Sequence, residues 1–154
     1  MKPHTERGSA VALTITCAVA LLLLSVMAVF KLPDWLAEMH DAKRGEVVSN
    51  VEGIKTAMVA YEAESLDFVA LPAWPRPPEA TDEEKMPWSA HPAWDAVGWA
   101  PDGPVHGSYW VERSEDGTDF TVFGVQDIDG DGAKAWYTAT KSINSVFLNN
   151  SDIY

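Results

Sequence analysis

The sequence predicts an α+β protein in which a long N-terminal helix, first a membrane span and then an amphipathic half, packs on a small antiparallel β-sheet. Three observations predict it. Ser9 to Phe30 is an uninterrupted apolar run without charge. Val47, Val51, Ile54, Met58 and Tyr61 recur at spacings of 4, 3, 4 and 3, which line one face of a helix. The last third of the chain alternates β-branched and aromatic stretches with Gly/Asp turns. At 154 residues the chain has room for one anchor and one domain.

The 22 residues from Ser9 to Phe30 are enough to cross a hydrocarbon core of about 30 Å at about 1.5 Å per residue. Lys2 and Arg7 precede this run, whereas Lys31, Asp34 and Glu38 follow it, so the positive-inside rule places the N-terminus in the cytoplasm and the rest outside. The expected layout is a leader at 1–8, an anchor at 9–33 and an extracytoplasmic domain at 34–154. The rival is a cleavable secretory signal, with Val26-Met27-Ala28 as its cutting site; the apolar run is longer than the roughly 7 to 15 residues usual there. The single cysteine, Cys17, lies inside the run, so no intramolecular disulfide forms.

After Pro33, the stretch from Asp34 to Ser65 holds no proline and only two glycines, Gly45 and Gly53, which suits a helix. Its polar face is expected to carry Glu46, Ser49, Glu52, Lys55 and Glu62. Residues 71–104 contain eight prolines together with Trp74, Trp88, Trp94 and Trp99, and read as an ordered wrapping loop without long regular elements. Gly107 to Arg113, Thr118 to Gln126 and Ala133 to Thr140 are then the strands of a three-stranded antiparallel meander.

From Leu32 onward 22 Asp and Glu face 8 Lys and Arg. A surface this acidic repels phosphate backbones and anionic head groups, which disfavours nucleic-acid partners. His4, His40, His91 and His106 lack zinc spacing, and no nucleophile elbow or phosphate loop occurs, so no catalytic or cofactor-binding residue emerges. Glu83-Glu84 reads as a solvated turn. The sharpest motif is Asp127-Ile-Asp129-Gly-Asp131-Gly132, whose alternate carboxylates and sixth-position Gly match the opening of a calcium loop. Position 12 is Thr138, not the bidentate Glu, and a strand follows in place of a helix. Two readings stand side by side: a calcium loop built on Asp127, Asp129 and Asp131, or a Gly/Asp hairpin turn that needs no metal.

A short basic leader ending in Gly8, an apolar helix start, a Pro-marked bend, an amphipathic helix, a loop and an antiparallel sheet follow one another in the order of the type IV pilin and pseudopilin superfamily, which this chain resembles. Met1 to Gly8 looks like a leader removed by prepilin peptidase, Ala42 to Ala57 looks like the outer half of the pilin helix, and Asp119 to Gly132 with Ala135 to Ser142 is similar to sheets of deltaproteobacterial pilin-like proteins. The resemblance implies cleavage between Gly8 and Ser9 and a signal-anchor in the bacterial inner membrane, with the domain periplasmic or on a pilus. It also implies packing against other pilin-like subunits through the helix, as a structural, non-catalytic part of a pilus or type II secretion-like filament. Ser9 and Leu13 stand where members carry Phe and Glu. The Glu compensates a neighbouring subunit's terminal amine, and its loss implies a minor or tip-located subunit, or a pilin-like protein that no longer assembles, rather than the major subunit. The alternative is a membrane-anchored binding module that does not polymerise, with the Trp-rich loop as an aromatic platform for a glycan or partner.

Overall fold

The computed structural model of the chain describes residues 44–149 together with Val19, Leu22 and Ser25. The chain divides into two compact units, Met1–Met39 and His40–Tyr154, and residues 44–149 belong to the second. Gly8, Ser9, Leu13, Cys17 and the bend at Pro33 lie outside the described residues, as does the span 9–33 apart from those three positions, each helical. Among the described residues no helix is long and apolar enough to cross a membrane.

Helix α1 (residues 44–65) forms where the 4-3-4-3 periodicity places it. Val47, Val51, Ile54 and Met58 are wholly removed from solvent, and Tyr61 is half-buried against the same core. Each such burial contributes about 1.5 to 3 kcal/mol, which is why the stripe and not helix propensity sets the element. The helix ends as Leu66 turns into the left-handed region at φ 62° and its N–H donates to the Glu62 carbonyl at 2.8 Å.

Five strands follow: β1 (Leu71–Trp74), β2 (Ser108–Arg113), β3 (Phe120–Gln126), β4 (Ala135–Thr140) and β5 (Val146–Phe147). They pair antiparallel in the order β1-β2-β3-β4-β5, an uninterrupted meander with α1 packed on one face. The three expected strands are its centre, and two edge strands are added to them. Leu71–Trp74, expected as loop, pairs with β2 through Leu71↔Val111 and Trp74↔Tyr109. It tolerates Pro72 because an edge strand bonds on one side only.

Gly124 on β3 allows the helix to come down on the sheet, since a Cβ there would stand 2.6 Å from Val51 Cγ2 and 2.7 Å from Val47 Cγ2. On the opposite side of α1, Gly53 leaves room for the Trp99 indole, whose Nε1 would lie 2.8 Å from a Cβ. The segment 75–107 is ordered, as expected, and contains a 3-10 turn (Pro78–Ala80) and a short helix α2 (Pro92–Val97). Helix α2 starts with Pro92 behind a His91 cap that accepts the Ala93 N–H at 3.2 Å, and stops at Gly98 with φ 72°. Trp88, Trp94 and Trp99 pack edge to face and tilted at 5.3 to 5.6 Å, with Trp94 fully buried and Trp88 and Trp99 reaching Tyr109.

The polar face of α1 is only partly solvated. Glu52 accepts the Ser145 N–H, Lys55 Nζ donates to Asn144 Oδ1 at 2.7 Å, and Glu62 takes Lys141 at 3.0 Å. These side chains clamp the β4–β5 turn onto the helix.

Candidate functional site

The Asp hairpin joins β3 to β4. Strand β3 runs out at Gln126, and Asp127 is pulled inward to 3% exposure because its carboxylate bridges the turn. Its Oδ1 accepts the Gly130 N–H at 2.8 Å and its Oδ2 the Gly132 N–H at 3.0 Å. Gly130 and Gly132 have φ of 71° and 86°, the left-handed region that glycine enters at no steric cost. Asp131 Oδ1 accepts the Ala133 N–H at 2.7 Å, and Asp129 makes only a long contact of 3.4 Å to the Asp131 N–H. Asp129 and Asp131 are exposed.

The structure therefore brings together the three carboxylates that the spacing singled out. One oxygen from each lies within 4.8 Å of the others. Calcium–oxygen distances are about 2.3 to 2.6 Å, so two ligands on opposite sides of one ion stand about 4.6 to 5.2 Å apart, and the spread fits a single cation. Thr138, at the twelfth position, is a residue of β4 and adds no carboxylate. Another acid lies close: a Cβ built on Gly130 would stand 3.8 Å from the Glu83 carboxyl carbon. Glu83 belongs to the solvated Glu83-Glu84 turn, and both residues are exposed.

That turn is held against the hairpin. Arg76, 5% exposed, donates to Asp82 Oδ1 at 2.5 Å, to the Ala80 carbonyl at 3.1 Å and to the Glu84 carbonyl at 2.5 Å. The Arg76 hydrogen bond, reinforced by the Glu84 N–H, holds the Asp82 carboxyl below its usual range. Lys134 Nζ reaches from the end of the hairpin to the Pro78 and Glu79 carbonyls at 2.8 and 2.6 Å. Metal or not, the Asp turn is braced on two sides, and the backbone bonds of Asp127 hold it as a turn.

The described histidines serve separate structural ends. His91 caps α2 with its ring 4.9 Å from Trp74. His106, 8% exposed, meets Glu46 of α1, whose Oε1 accepts the His106 N–H at 2.8 Å while Oε2 lies 3.2 Å from Nδ1 and 3.0 Å from Lys85 Nζ. Beside this network a cavity of about 410 Å³ is lined by Glu46, Ser49, Asn50, Lys85 and Asp102 among others. Asn50 donates to the buried Tyr109 hydroxyl at 2.9 Å, and burial pushes that phenol's pKa well above its ordinary value. None of this network follows from sequence spacing, because its members come from three separated segments.

The tryptophans of the wrapping segment do not form a platform, since Trp88, Trp94 and Trp99 spend their rings on one another and on the core. A different aromatic group, Trp110, Phe123 and Trp136, stands on the sheet face away from α1. The period-2 pattern could have disclosed it, because β2 and β3 carry large apolar residues at both parities. Compared with known proteins, the chain matches no family model, no curated protein and no solved structure.

Proposed function

We propose that the chain is a structural, non-catalytic pilin-like subunit, a minor pilin or pseudopilin of a type IV pilus or type II secretion-like filament, anchored in the inner membrane by its N-terminal helix. What supports this reading most is the way α1 is used. It buries a continuous stripe, Val47, Val51, Ile54 and Met58, on a consecutive antiparallel meander, as the outer half of a pilin helix does in its head domain. The order of leader, apolar run, amphipathic helix, loop and sheet adds to it. Within this reading the Asp127, Asp129 and Asp131 hairpin takes calcium weakly and stiffens the head.

Processing tests the proposal. Mass spectrometry of the protein extracted from membranes of cells that contain prepilin peptidase is expected to find a mature chain starting at Ser9. A chain that keeps Met1, or one cut after Ala28, overturns it. The second reading, a membrane-anchored module that binds without polymerising, is favoured by the half-exposed aromatic group on the outer sheet face. Cross-linking between cysteines introduced along residues 10–30 separates the two, because only a polymer gives a ladder of covalent multimers.

A further inference from the structure

An antiparallel sheet covered on one face turns polar side chains to the other. Here the face away from α1, covered at its Ser108 end by the segment around Arg76, is apolar over its middle. Registration places Trp110 opposite Phe123, Phe123 opposite Thr138, and Thr138 opposite Val146, while Trp136 lies one row away opposite Val125. The Trp110 and Phe123 rings stack at 4.8 Å with 5° between their planes, and Trp136 meets Trp110 edge to face at 5.8 Å. Val146 and Leu148 extend the patch to the sheet edge at 46% and 57% exposure. Glu112 shares this face, and its Oε1 accepts the Trp110 indole N–H at 3.3 Å. Trp110, Phe123 and Trp136 are half-buried and Val125 beside them is buried, and with the exposed Val146 and Leu148 they make a contiguous apolar surface of the kind that marks an interaction site.

Charge decides what fits. Residues 44–149 contain seven Lys and Arg, and all seven are engaged within the chain. Eighteen Asp and Glu share the same segment, so the field outside the sheet is negative. Among the described residues the one cation–π contact is Lys141 Nζ, 5.0 Å over Phe68, a ring paired with the core residue Phe120. Among the described residues no cation therefore lies over the indoles of Trp110 and Trp136, the best cation–π acceptors. A second copy of this acidic head is repelled, as is nucleic acid.

We infer that the outer face of the sheet, centred on Trp110, Phe123 and Trp136, docks a basic polypeptide segment whose arginine or lysine side chains lie on the indoles and pair with Glu112. The inference is independent of whether the chain polymerises.

The test is calorimetric titration of the full chain in mild detergent with an alternating arginine–threonine decapeptide, alongside an aspartate–threonine decapeptide and the neutral hexasaccharide cellohexaose. Saturable binding of the arginine peptide alone is expected, weakened about tenfold by Trp110→Leu or Trp136→Leu, which remove an indole but keep the face apolar. Glu64→Gln, which removes one charge from the exposed end of α1, is expected to change affinity less than twofold. Far-ultraviolet dichroism checks that each variant folds. Equal loss in Glu64→Gln and the tryptophan variants means unspecific attraction to an acidic protein and overturns the inference. Cellohexaose binding that depends on Trp110 without peptide binding overturns it in favour of a glycan site.

Discussion

Gly124 is the residue on which the contact between α1 and β3 turns. A methyl there would stand well inside contact distance of two valine methyls, and both valines are held in a core with no exposure. Overpacking of this kind costs about 1 to 3 kcal/mol. Gly124→Ala is expected to lower the melting temperature of the full chain by about 4 to 8 °C per kcal/mol. Adding Val47→Ala makes room, so the double variant is expected to lose less than the two single losses together. Additive losses would show that the methyl is accommodated elsewhere. Leu66 is the opposite case. It holds a left-handed conformation that costs a side-chain-bearing residue about 1 to 2 kcal/mol, and at 89% exposure it recovers little by burial. Leu66→Gly is expected to raise the melting temperature by a few degrees; a fall would mean that the leucine makes a stabilising contact.

At the scale of elements, α1 carries the fold. Ile54 lies in the middle of its stripe with no exposure, and Ile54→Asp places an unpaired carboxylate among valines and aromatic rings. The cost is several kcal/mol, comparable to the whole stability of a small domain. The full chain is expected to lose its cooperative melt or to melt more than about 15 °C lower. An unchanged melt would place the stripe in solvent. This helix was legible because four buried positions repeat at its own period, and the central strands were legible because their turns are rich in Gly, Asp and Ser. The edge strands were not. Strand β1 contains Pro72, which argues against a central strand and is allowed only where one side needs no partner, and β5 is two residues long, too short to show alternation. The burial of the loop tryptophans followed from their number, but their partners did not. Which ring meets which depends on Gly53 admitting Trp99, a fact of three-dimensional approach. Of the site, the three aspartates were legible from spacing, whereas Arg76 and the neighbouring Glu83 come from 44 to 55 residues away in the sequence, and Lys134, three residues past Asp131, braces the turn only through the distant Pro78 and Glu79 carbonyls.

At the scale of the whole molecule, a net charge of -12 makes any divalent cation a general stabiliser, and a specific site must be told apart from that background. The Asp127, Asp129 and Asp131 oxygens converge within 4.8 Å, yet Asp127 already satisfies two backbone amides and no twelfth-position Glu completes the shell. Calcium affinity is then expected in the weak extracellular range of about 10⁻⁴ to 10⁻³ M. Binding only to the folded state at 10 mM calcium adds RT ln(1 + [L]/Kd), about 1.4 to 2.7 kcal/mol across that range. The melting temperature of the full chain is expected to rise by several degrees between chelator and 10 mM calcium. Magnesium is expected to do less, because it holds to octahedral geometry at about 2.1 Å and gives up its waters reluctantly. Asp129→Asn takes one charge from the cluster without touching the amides that hold the turn, and is expected to remove most of the calcium increment. Glu83→Gln is expected to remove part of it, provided that carboxylate closes over the ion from its place beside Gly130. General screening predicts otherwise: calcium and magnesium alike, and an increment undiminished in Asp129→Asn. That outcome, or no response to calcium, would leave the hairpin as a turn held by Asp127 alone.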